Sequence, residues 1–105
     1  MASFGDVVLY RLSEDDAHLI NRRREDFETY LHSGGSATGH VGHVGNGARE
    51  NDLFPAIVVR VWPDSVNLQV FLDGNDLYWA TSASFGDQPG QWTNKPTSEP
   101  TPAEK

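Results

Sequence analysis

Three successive arginines, Arg22-Arg23-Arg24, form the main basic cluster of a chain with 15 acidic and 8 basic residues. Neighbours on a helix fan over about 200°, so the three cannot converge on one ligand. Surface charge balanced by Asp16, Glu25, Asp26 and Glu28 accounts for most of the cluster. Arg24 is the exception. With Ile20 at zero and about 100° per residue, Phe27 falls near -20°, Leu31 near +20° and Ala17 near +60°. The same arithmetic puts Arg24 near about +40°, inside the apolar stripe. A guanidinium there requires a snorkel, a buried carboxylate or a partner, and its planar fork suits a bidentate grip on carboxylate or phosphate. Arg24 is therefore the first candidate for an anion-binding side chain.

The second half of the chain is dense in aromatics: Trp62, Phe71, Tyr78, Trp79 and Trp92. Core and sheet packing is the ordinary use of such residues, and a stacking surface or an interface patch is the functional one. Asn67, Gln69, Asn75 and Asp76 lie close by in sequence and supply polar edges. Aromatic faces, amides and one arginine suit a small nucleotide-like ligand, with Arg24, Asn67, Gln69, Trp79 and Trp92 as its binding set. His40 and His43 are the weak metal candidates, with Glu50 or Asp52 as an oxygen donor. They lack a third close ligand and a rigid helical frame, so no metal or other cofactor is assigned.

Other chemistry is poorly supported. The chain has no cysteine, which excludes disulfides, thiolate metal sites and cysteine nucleophiles. Ser65, Ser82 and Ser84 have no nucleophile-elbow context. Asp73 and Asp76 lie in a turn, where turn chemistry explains them. No triad emerges, and the reading is of a protein that is not an enzyme. A net charge of -7 argues against a general surface for long nucleic acid or anionic membrane. The opening residues lack a basic region followed by a long apolar stretch, and the longest apolar run, Ala56 to Val59, cannot cross a bilayer. A cytoplasmic location follows as the expectation.

The elements that would position these residues are few. A chain of 105 residues is one domain's worth. Gly5 to Leu12 reads as a strand, and Ser13 then caps a helix over about 14–32, with Asp16 completing a capping box. Leu19 and Tyr30 flank the helix stripe on one side, and Ser33-Gly34-Gly35 ends it. Residues 33–51 form a long loop rich in glycine and histidine, in which a short strand through Thr38 to Val44 fits. Phe54 to Trp62, Ser65 to Leu72 and Leu77 to Ser82 form an antiparallel meander, the last two joined through Asp73-Gly74. On the middle strand Val66, Leu68, Val70 and Leu72 share one face, and Asn67, Gln69 and Phe71 the other. Trp92 folds back as a lid, and residues 94–105, with three of the six prolines, read as a disordered tail. The folded body is 1–93, and all six of its bases are arginines. The fold class is α+β: a small, bent antiparallel sheet or SH3-like barrel of four to six strands with one helix near the N-terminus. An open sheet with the helix across one face is the alternative.

GDVVLYRLSEDDAHLINRRR, PAIVVRVW, VNLQVFLDGND, YWATS and GDQPGQW together resemble small proteins encoded by tailed bacteriophages and prophages. That group has no assigned activity, so the resemblance carries no functional residues onto this chain. After Trp92 the group's pattern implies an aromatic and a proline, where this chain has Thr93-Asn94-Lys95-Pro96. The resemblance implies an accessory protein acting in a host cell by occupying something. One expectation is an oligomeric anti-defence sponge that sequesters a nucleotide-like immune signal. The other is a protein–protein module: a virion or assembly component, or an acidic inhibitor of a host factor.

Overall fold

The computed structural model describes residues 2–32 and 44–95. Six elements follow in the order β1 (Val7–Arg11), α1 (Glu14–His32), β2 (Leu53–Val61), β3 (Val66–Phe71), β4 (Leu77–Ala83) and β5 (Trp92–Thr93). The strands form one antiparallel sheet in the order β4-β3-β2-β1-β5. Each β2–β3–β4 connection is a short turn, as the Pro63-Asp64 and Asp73-Gly74 pairs require. The one helix among the described residues lies in the connection from β1 to β2, so the fold is the α+β arrangement expected. It is an open sheet, and the lone bridge between Phe85 and Trp92 brings β5 towards the segment after β4 without a continuous ladder.

Two irregularities bend this sheet at one level. The β2–β3 register shifts between Val58 and Arg60, and the β3–β4 register shifts between Val66 and Leu68. Extra residues at such points increase local twist. Asn67 secures the second of them. Its side-chain oxygen accepts from the Ser82 amide at 2.8 Å, where Ser82 adopts φ 53°, and from Trp62 Nε1 at 3.0 Å.

Alternation along the strands sorts side chains to two faces. Val8 and Tyr10, Ala56 and Val58, Val66, Leu68 and Val70, and Ala80 turn inward onto the helix. Leu68, Val58, Val66 and Val70 are essentially inaccessible, as are Ile20 of α1 and Leu12. The helix starts as its sequence demands. The Ser13 hydroxyl accepts the Asp16 amide at 3.1 Å, and the Asp16 carboxylate accepts the Ser13 amide at 2.9 Å. Its buried side runs through Asp16, Ala17 and Ile20, with Phe27 half-buried. Leu19 was expected to flank the apolar stripe, yet it is half-exposed. At about 100° per residue Asp16 and Arg23 occupy that flank, and Leu19 lies beyond them. The side chains of Tyr30 and Leu31 lie outside the described residues, as do His40, His43 and residues 96–105. The strand expected through Thr38 to Val44 also lies outside them, apart from Val44.

Trp92 is a strand residue rather than a lid. It pairs with Tyr10 in the β1–β5 ladder, is 4% exposed, and meets Phe85 edge-on at 4.9 Å between ring centres.

Candidate functional site

Two buried carboxylates tie the helix to the sheet. Asp16 accepts the Tyr10 hydroxyl at 2.5 Å and the Tyr78 hydroxyl at 2.6 Å, so one side chain on α1 holds β1 and β4 together. Burial, followed by the bond to Asp16 and its negative charge, pushes both phenols well above the ordinary tyrosine range. Both hydroxyls therefore remain protonated donors at any physiological pH, and they fix the angle of the helix on the sheet.

The second carboxylate answers the question posed by Arg24. Asp76, with its side chain 4% exposed, takes Arg24 Nη2 on one oxygen at 3.1 Å and Arg23 Nη2 on the other at 3.0 Å. Arg24, 11% exposed, also donates to the Asn46 carbonyl, and Arg23 to the Leu77 carbonyl at 3.1 Å. The end of the glycine-rich loop is drawn into the same cluster. Val44 and Asn75 exchange two hydrogen bonds, Asn46 bonds Asp73 through its backbone amide and its side chain, and Ala48 and Asn21 form a reciprocal pair. Gly45 and Gly74 pass so close that a Cβ on Gly45 would sit 2.5 Å from the Asp73 carbonyl oxygen. Both glycines are there because the two backbones touch.

The five residues expected to bind a ligand are therefore not gathered around one opening. Arg24 is paired with a carboxylate on the helix side of the sheet, and Asn67 is 8% exposed with its oxygen committed to Trp62 and Ser82. Trp92 lies in the core and on the wall of a cleft of about 440 Å³ between the Pro63–Val66 turn and Phe85. Only Gln69 and Trp79 meet, as a cross-strand pair on the opposite face. No group of three or more metal-ligating side chains occurs among the described residues, and none of their helices is long and apolar enough to cross a membrane.

That opposite face is broadly apolar among the described residues. Across it Trp79 pairs with Gln69, Gln69 with Ile57 and Ile57 with Val7, in one row over four strands. Two residues along, Leu77 pairs with Phe71, while Pro55 pairs with Leu9 and Leu9 with Thr93. One step further Leu53 stands beside Arg11. Trp79 is 61% exposed, and Val7, Leu53, Phe71 and Leu77 each lie between 42% and 45%. No acidic side chain interrupts these rows; the charged residues within the adjoining ladders are Arg11 and Arg60, and Asp6, Asp52 and Asp73 lie beyond the strand ends. Sequence reasoning placed Gln69 and Phe71 on one face but missed the patch. The available signal was the run Ala56 to Val59, which does not alternate, as strands covered on both faces do not.

No protein-family model matches the chain, and comparison with the curated proteins and with the solved structures gave no match.

Proposed function

We propose that this protein is a non-enzymatic protein–protein interaction module, which docks through the helix-free face of its sheet onto an uncharged, apolar surface of a protein partner. The observation that carries the reading is the pair of apolar rows running from Trp79 to Val7 and from Leu77 to Leu9. Contiguous apolar patches of this extent mark interaction sites on soluble proteins. Trp79 at their margin is the residue type that most often anchors an interface. The likeness of the chain to small phage proteins makes an accessory role in a host cell the natural setting. The sponge reading is less well supported, because Arg24 and Asn67 are already engaged inside the fold.

A photoreactive residue placed at position 79 tests this, with position 18 on the exposed side of α1 as the control. Irradiation in host lysate is expected to give adducts of a few defined masses from position 79 and none from position 18. Equal smears from both positions, or no adduct from position 79, would overturn the reading. In parallel, thermal shift against cyclic and ADP-ribose nucleotides is expected to show no movement. A saturable shift that is lost in the folded double variant Arg24→Met with Asp76→Leu would restore the sponge.

A further inference from the structure

We infer that the occupant of this face is a second copy of the same chain, packed sheet against sheet across a two-fold axis. The inference rests on the docking reading of the face and adds the identity of the partner. A two-fold interface requires a surface that complements itself, and a row of uncharged, apolar side chains meets that condition without any matching of charge. Here the rows hold apolar side chains, with Gln69 and Thr93 as neutral polar members, so an identical face is a suitable counterpart.

Charge points the same way. Two chains of net charge -7 repel each other, so they can associate only where the acids are absent. The helix-free face is such a place, since no acid stands in its paired rows and Asp6, Asp52 and Asp73 lie beyond the strand ends. By contrast, the exposed side of α1 carries Glu14, Asp15, Glu25, Asp26 and Glu28.

Area then bounds the size of the contact. Four strand spacings of roughly 4.8 Å by seven residues of roughly 3.3 Å give a flat footprint of roughly 450 Å² per copy. Side-chain relief raises the accessible area, so two copies bury on the order of 1,000–1,300 Å² in total, at the lower edge of specific interfaces. The bend at the two bulges keeps the contact from growing larger. A contact of this size is at the small end of specific interfaces, so the dimer is expected to be reversible. Burying Trp79 and Phe71 of both copies supplies most of the attraction, and sheets so packed stand about 10 Å apart.

Sedimentation equilibrium of the full chain across the micromolar range tests the inference. The average mass is expected to rise from 11.6 kDa towards twice that value. Raising the salt should strengthen association, because like charges are screened while apolar contact is retained. Trp79→Glu and, independently, Leu77→Lys should each weaken the dimer tenfold or more, whereas Leu19→Glu on the helix should leave it unchanged. Circular dichroism confirms that each variant is folded. A wild-type mass that stays at 11.6 kDa throughout overturns the second-copy inference. Crosslinking from position 79 in lysate then decides separately whether the face docks to some other protein. A dimer that survives Trp79→Glu and Leu77→Lys but is lost in Leu19→Glu also overturns it.

Discussion

Asp76→Ala should be among the most destabilising single changes outside the apolar core. The substitution removes the carboxylate that receives Arg24 at 3.1 Å and Arg23 at 3.0 Å. Arg24, 11% exposed, would then be a buried cation with the Asn46 carbonyl as its remaining partner among the described residues. Breaking a buried pair by deleting one member costs about 3–5 kcal/mol, because the other charge stays desolvated. Arg23 is one-third exposed and regains water, so its share is small. An overall loss of about 3 kcal/mol follows, from a total of about 5–15 kcal/mol for a domain of this size. At about 4–8 °C per kcal/mol, the melting temperature should fall by about 12–24 °C. Urea denaturation measures the change directly, and an unchanged m-value keeps the comparison two-state. The double variant Arg24→Met with Asp76→Leu should recover most of the loss, since matched apolar groups can replace a buried ion pair at little cost. A loss smaller than about 1 kcal/mol in Asp76→Ala, the range of exposed pairs, would show that the pair is not buried. Arg24 would then be a solvated surface cation, available to a ligand.

Three further outcomes follow from the same structure. Tyr10 and Tyr78 have folded pKa values above the ordinary 10.0, so their contribution is complete below pH 10 and lost as pH rises beyond it. Urea stability should therefore decline above about pH 10, and Tyr10→Phe with Tyr78→Phe should flatten that decline while lowering stability at neutral pH. Gly45→Ala should release the 44–48 segment from the β3–β4 turn, because its Cβ would meet backbone atoms at 2.5–2.6 Å. Amide exchange at Asn46 and Ala48 should then accelerate while that of β3 stays slow. Leu68→Ala, at a fully buried position, should cost about 2–5 kcal/mol by urea titration.

Local features were the legible ones. The capping box at Ser13 and Asp16, the Asp73-Gly74 hairpin and the two faces of β3 depend on neighbours within a few residues, and each appears as the sequence implies. The misplaced charge of Arg24 was legible too, because helix periodicity alone exposes it. Its partner was not. Asp76 lies 52 residues away, and turn chemistry gave it a sufficient explanation where it stands. Asp16 shows the same gap: its role as a cap was readable, but its bonds to Tyr10 and Tyr78 depend on how the helix lies across the sheet. Asn67 looked like a free amide because nothing in a strand pattern announces a bulge. The apolar outer face escaped for another reason. Alternation assigns faces only when one of them is polar, and β2 is apolar on both sides through Ala56, Ile57, Val58 and Val59.

On the reading proposed above, the helix-free face meets another protein surface, a second copy of itself. Intermolecular NOEs in a sample mixing isotope-labelled and unlabelled chains, at a concentration where the dimer forms, test it most directly. Cross-peaks are expected from the Trp79 and Phe71 rings of one copy to methyl groups of Val7, Leu9, Ile57 or Leu77 of the other. Intermolecular contacts confined to Leu19 and its helical neighbours, with none from Trp79, would contradict it.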